Sequence, residues 1–300
     1  MGIRNDANSV DHLCSLLQDI LNSLPPAQKV SPFCAQQSSL TIWFQPSFCG
    51  ILQMISFSYS KGKHMRIAII SDIHGNQLAL EAVLQDLSHQ PAVDHLVVAG
   101  DLCLNGPCPR EALDTVRKLA CPVIQGNVDY EVVNEAPDKG LKKRTTISWT
   151  REQIGQAGID YLAALPFSHR IANPDGSDLL IVHANPLNLE DAIFPNAPDS
   201  DLEYLLGSIE PTVGALAFGH LHIAYTRHWR HLLLADVASC GLPRDEDLRA
   251  AYGILTWQDA TWNAEIRRVP YDVKEVVKQI KTCGIPNVEK RIKILLEARY

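Results

Sequence analysis

The chain has 300 residues, 46% of them hydrophobic and 20% charged, which excludes wholesale disorder and suffices for one large α/β domain or a domain with an extension. With 27 Lys and Arg against 34 Asp and Glu, the formal charge of -7 gives no basic field for a long nucleic acid, and Lys142-Lys143-Arg144 is the one notable basic run. Eight cysteines without a C-x-x-C pair argue against a disulfide framework, no window approaches the roughly 18 apolar residues of a membrane span, and Arg4, Asp6 and Asp11 interrupt any signal-peptide core. The expected setting is therefore the cytoplasm, with reduced thiols and no membrane partner.

In chain order, Leu13, Leu16, Leu17, Ile20 and Leu21 recur at helical spacing after Asp11, and Pro25-Pro26 ends that pattern, which predicts a short amphipathic helix. The rest of the segment up to residue 64 has no period. Met65 stands directly before the first strand, so residues 1–64 read as an N-terminal extension, either appended to the domain or upstream of the true start.

From Arg66 onward, short apolar runs alternate with helical stripes. Ile67 to Ile70, Leu96 to Ala99, Pro122 to Gln125, Leu179 to Val182, Leu216 to Phe218 and Leu232 to Ala235 have the continuous apolar character of strands covered on both faces. Leu80, Val83, Leu84 and Leu87 form one helical stripe, and Leu113, Val116 and Leu119 a second, so the domain at 65–271 is α/β. Residues 148–165 read as a helix with Thr150 as N-cap and Pro166 as terminator, part of a small helical cap over about 134–165. Asp272 to Lys281 predicts a helix stopped near Gly284, and Pro286 opens a last basic helix to Tyr300. Together they make a C-terminal helical extension at 272–300, read as charged surface helices.

Four blocks end apolar runs in ligand-type residues: Asp72-Ile73-His74, Gly100-Asp101, Gly126-Asn127-Val128-Asp129 and Gly219-His220-Leu221-His222, with His183 between the last two. In α/β sheets, ligands bind beyond the carboxyl ends of strands, so blocks placed there can converge. Asp72 and His74 are two apart, as are His220 and His222, which on extended backbone sends each pair to one side. Alone, Asp101 would read as a helix cap and His183 as a satisfied polar side chain; four of the eleven histidines in this series reverse that reading. Carboxylate, imidazole and amide oxygen suit divalent Mn, Fe, Zn or Ni, with Mn placed first, and no cysteine occupies a ligand position. Asp101 is the natural bridge between two cations roughly 3.5 to 4 Å apart, and such a pair serves phosphoester hydrolysis.

This ordered series resembles the calcineurin-like metallophosphoesterases from about Arg66 to Asp259. Ser71 to Asn76, Trp149-Thr150-Arg151-Glu152 and Ser239-Cys240-Gly241-Leu242-Pro243-Arg244 are similar to its small bacterial and archaeal phosphodiesterase-like branch. The resemblance implies a four-layer sandwich, two mixed β-sheets flanked by helices. It implies Asp72, His74, Asp101 and His222 as ligands of one metal, and Asp101, Asn127, His183 and His220 as ligands of the other. Asp101, Asn127 and His220 are the residues expected to carry catalysis, with a metal-bound hydroxide as nucleophile.

Val128 stands where many members have a histidine that helps the leaving group depart, and valine can neither donate a proton nor accept one. Two readings follow: a phosphodiesterase or phosphatase acting without that histidine on a small phosphoester, nucleotide-like ones included, or a metal-binding scaffold for protein partners like the retromer subunit that keeps this fold. The complete ligand set favours the enzyme.

Overall fold

The computed structural model describes residues 64–134, 145–174 and 176–299. The helix expected near the N-terminus and residues 135–144 of the expected cap lie outside the described residues.

Among the described residues, nine strands form two mixed sheets. The first has the order β2-β1-β8-β9, with β1 His64–Ile70 parallel to β2 His95–Val98 and antiparallel to β8 Ala250–Gln258, which pairs with β9 Thr261–Val269. The second has the order β3-β4-β5-β7-β6, built from β3 Ser168–Ile171, β4 Asp178–Val182, β5 Val213–Phe218, β6 Tyr225–Trp229 and β7 Leu232–Asp236. Its three inner strands are parallel and both edges antiparallel.

The period-2 alternation of strand side chains explains the layers. Ile67, Ile69, Val97 and Leu255 from the first sheet share one buried cluster with Leu179, Ile181, Ala215, Ala217, Leu233 and Ala235 from the second, so the sheets pack face to face. The alternate residues Ala68, Ile70, Leu96 and Val98 turn outward under helices α1 Gln77–Ser88 and α2 Pro109–Lys118, which contribute Leu80, Val83, Leu113 and Val116. On the other outer face, Val182, Leu216, Phe218 and Leu234 pack against Leu202, Leu205 and Leu206 of the helix Asp199–Leu206. The result is the expected sandwich of helices, two sheets and helix, and it explains why the inner strands read as unbroken apolar runs.

Several elements differ from expectation. Pro122 to Gln125 adds to the edge of β2 only as a bridge, Val98 to Val123, because Pro122 has no N–H and the Gln125 N–H donates to Pro166 O. Asn127–Asn134 forms a helix, α3, directly after it. The next helix, α4, runs Thr146–Ala163 and is capped by Thr145, not Thr150: Thr145 and Ser148 make a reciprocal capping box, while Thr150 is fully buried inside the helix. Gly155, at φ 66°, interrupts α4, which nevertheless buries Ile154 and Leu162 in the cluster beneath α1 and α2.

The β8–β9 hairpin carries no Asn-Gly or Asp-Gly signal. Its turn residues Asp259 and Ala260 adopt φ 52° and 60° without glycine. The last two helices, α5 Val273–Thr282 and α6 Val288–Glu297, are more than a charged surface: Val276, Ile280, Ile285 and Leu295 are buried with Trp149 and Leu242.

Candidate metal centre

All seven expected ligand residues lie where strands of both sheets end, and they come together. The convergence does not arise from an extended pleat. β1 stops at Ile70 and β5 at Phe218, and the converging residues sit in tight loops where Asp72, His74, Asp101, His220 and His222 have φ of 56°, 50°, 57°, 67° and 60°. Left-handed backbone at non-glycine residues costs on the order of 1 to 3 kcal/mol each and persists only where the surroundings enforce it. Here the frame is a ladder of main-chain bonds: Asp72 N–H to Gly100 O, His74 N–H to Asp101 O, Gly75 N–H to Leu102 O and Gly241 N–H to Asp72 O.

Four imidazoles face the centre, and a backbone carbonyl fixes each. His74 Nδ1 donates to Leu104 O at 2.9 Å, His183 Nδ1 to Ala99 O at 2.9 Å and His222 Nδ1 to Leu242 O at 2.6 Å. His220 is reversed, its Nε2 donating to Glu190 O at 2.9 Å. A carbonyl can only accept, so each ring carries a hydrogen on the outward nitrogen and, as a neutral imidazole, turns a lone pair inward.

Those lone pairs meet other acceptors. His74 Nε2 lies 3.1 Å from His222 Nε2, and His222 Nε2 lies 3.0 Å from Asp72 Oδ1, a buried oxygen with no hydrogen-bond partner. Asn127 Oδ1 lies 3.1 Å from His183 Nε2 and 3.3 Å from His220 Nδ1. Asp101 joins the two groups, with Oδ2 3.6 Å from His74 Nε2 and Oδ1 3.4 Å from His183 Nε2. Ligand atoms of Asp72, His74, Asp101 and His222 all fall within 4.8 Å of one another. Asn127, His183 and His220 gather on the other side of Asp101.

Charge deepens the demand for a cation. Burial, reinforced by His222, pushes His74 down to about 3, and burial also takes His183 down to about 4, so both rings are neutral at physiological pH. Burial, followed by the Asp72 and Asp129 carboxylates, raises Asp101 well above the usual range. Neutral imidazoles and crowded buried carboxylates, all aimed at one volume, form a donor set that fits divalent ions and little else.

Asp129 belongs to the third block but coordinates nothing in this arrangement. Its carboxylate accepts the N–H groups of Asp101 and Gly126 on one oxygen and of Leu102 on the other, at 2.8 to 3.0 Å, which locks the Asp101 loop to the Asn127 loop. Burial raises it to about 6 despite those bonds. Val128 lies partly buried against the helical core, and its N–H donates to Asp101 Oδ1 at 3.1 Å. The four carbonyl anchors were not legible in sequence, because any residue supplies one.

Comparison with known proteins places these features in context. The profile of the calcineurin-like phosphoesterase superfamily domain matches residues 65–260. An uncharacterized protein of Methanocaldococcus jannaschii is 30% identical over 240 residues, covering 73% of this chain and 93% of that protein. Among solved structures, a metallophosphoesterase from Sphaerobacter thermophilus is similar at 26% identity and TM-score 0.64, covering 78% of this chain and 99% of that one. A Pyrococcus horikoshii protein has a similar fold at TM-score 0.66 and 23% identity, over 78% of this chain and 98% of its own.

Proposed function

Because the chain belongs to the calcineurin-like phosphoesterase superfamily, we propose that it hydrolyses phosphoesters, as a phosphodiesterase or phosphatase, with two divalent ions. The observation that carries this reading is the set of four imidazoles pinned outward by carbonyls and bare inward. Fixing the tautomer in advance removes the reorganisation that metal binding would otherwise require.

Asp72, His74, Asp101 and His222 would hold one ion, and Asp101, Asn127, His183 and His220 the other. Bound there, the ions supply Lewis acidity, acidifying water and neutralising phosphoryl charge. Oxygen and nitrogen donors favour manganese, with iron, zinc or nickel as alternatives; the nearby Cys103 and Cys240 thiols are buried and held protonated, so neither offers a thiolate.

The chain's own proton chemistry is limited. Val128 supplies no acid, and the one N–H of His220 is already given to Glu190 O. Loss of general acid help costs on the order of a hundred- to ten-thousandfold in rate, and least when the leaving group is a stable anion. Small phosphoesters with good leaving groups, nucleotide-sized at most, are the substrates this site suits. The net charge of -7 argues against a long nucleic acid. Among the described residues no helix is long and apolar enough to cross a membrane, and five cysteines are free thiols, which supports a cytoplasmic setting.

The scaffold reading rests on Val128 alone, whereas the ligand set is complete. The test is a panel of phosphoesters crossed with Mn, Fe, Zn and Ni: an activated aryl phosphodiester should be hydrolysed with Mn, and Asp101→Asn should abolish the reaction. Ions bound without hydrolysis of any phosphoester would leave the scaffold reading standing.

A further inference from the structure

Two of the four carbonyl anchors lie on loops held by α5 and α6, which follow the residues matched by the family profile. Leu104 O, the anchor of His74, sits beside Asn105, whose Oδ1 accepts a hydrogen bond from Arg291 Nη1 of α6 at 2.5 Å. Arg291 Nη2 donates to Thr146 Oγ1 at 2.8 Å, tying the same guanidinium to the start of α4. Leu242 O, the anchor of His222, belongs to a residue buried among Val276, Ile280, Ile285 and Leu295 of the helical pair. The chain beyond it is tied as well: Glu246 N–H donates to Ala298 O at 2.8 Å, and Arg244 Nη1 to Arg299 O at 2.9 Å. His74, Asn105, Leu242, Arg291 and Leu295 line one cleft, so clamp and histidine are near neighbours.

Arg291 is an expensive way to make an ordinary helix contact. Among the described residues it has no carboxylate partner, its Nε is buried without an acceptor, and burial followed by the Arg244 charge presses its pKa below the usual range. An apolar side chain would fill such a place at lower cost. What arginine adds is a fork that reaches Asn105 and Thr146 at once. Asn105 itself is held at φ 91°, a conformation that needs an external restraint.

We propose that the C-terminal helical pair is a clamp on one of the two ion positions, with Arg291 as its positioning residue: it fixes the loops whose carbonyls orient His74 and His222. His183 and His220 are anchored by Ala99 O and Glu190 O instead, outside those clamped loops. The clamp thus acts on the Asp72, His74, Asp101, His222 position and spares the other. This inference rests on the two-ion reading above.

The experiment is calorimetric titration of Mn into chelator-stripped full-length protein. Wild type should bind two ions, and Arg291→Ala should weaken one of them about 10- to 100-fold, the usual effect of losing an outer-shell partner, while leaving the other unchanged. Arg291→Lys, which keeps one donor, should recover part of the loss. Asn105→Gly removes the acceptor while suiting the left-handed backbone, and should reproduce the selective weakening; the double variant should be no worse than either single one. In a His183→Ala background, Arg291→Ala should weaken the ion that remains. Wild-type affinity at both positions of Arg291→Ala, or equal weakening of both, would overturn the clamp. A wild-type protein that binds none of Mn, Fe, Zn and Ni would instead overturn the two-ion reading itself, and the clamp with it.

Discussion

The Nε2 atoms of His74 and His222 stand 3.1 Å apart, each turning a lone pair toward the other because its Nδ1 hydrogen is committed to a backbone carbonyl. Two acceptors at that distance repel unless something positive lies between or beside them. A proton on His74 is a poor candidate at neutral pH, since burial first, and then repulsion from any proton on His222, take His74 down to about 3. A divalent cation satisfies both rings together with Asp72 Oδ1, which otherwise has no partner.

The glycines of the blocks protect that arrangement by leaving room. A Cβ on Gly219 would stand 2.1 Å from Asp72 Oδ2, and one on Gly126 would stand 2.1 Å from Asp101 Oδ1. Gly219→Ala and Gly126→Ala should each destabilise the fold by about 1 to 3 kcal/mol in urea unfolding. Both should also lose Mn affinity, because each Cβ would push aside a carboxylate proposed to hold an ion; unchanged Mn binding in either variant would show that these carboxylates do not hold the ion.

Asp236 offers a pH test away from the ligands. It is fully buried, with Oδ1 accepting the Ala238 N–H at 2.8 Å and Oδ2 unpartnered. Burial drives its pKa well above 3.8, with the Asp72 charge adding to the shift. A raised carboxyl pKa means that the folded state holds the proton more tightly than the unfolded one. Its stabilising contribution is present in full below pH 3.8 and fades as pH rises through the folded value. Asp236→Asn mimics the protonated form, so urea unfolding of metal-free protein should show a gain on the order of 1 kcal/mol at pH 8 and little change at pH 4. The same gain at both pH values would refute the assignment.

Val128→His asks how the leaving group departs. Restoring a proton donor beside Asn127 should raise turnover more for an alkyl phosphoester than for an activated aryl one, by up to about a hundredfold in the ratio of rates. Part of Val128 packs against the helical core, so some loss of stability should accompany the change. Equal rate effects on both substrates would remove the acid role from that position.

The sequence revealed much of this, for identifiable reasons. Inner strands such as β1, β5 and β7 are covered on both faces and so announce themselves as apolar runs, whereas the β8–β9 hairpin turns on Asp259 and Ala260 and carries no glycine signal. The seven residues that converge on the centre stood out because their side-chain types are unusual in series. Their means of convergence was not, since left-handed backbone at Asp72 or His222 leaves no mark in a sequence. Thr150 made a plausible cap from its position, but Thr145 won because Ser148 completes the reciprocal bonds. The second sheet emerged only through resemblance, and the carbonyl anchors and the Arg291 clamp only through three-dimensional contact.

The most direct measurement is anomalous diffraction from crystals grown with Mn, collected at the Mn absorption edge. Two peaks should appear per chain, one among Asp72, His74, Asp101 and His222 and one among Asp101, Asn127, His183 and His220, roughly 3.5 to 4 Å apart with Asp101 touching both. A single peak, or two peaks that Asp101 does not bridge, would contradict the two-ion account.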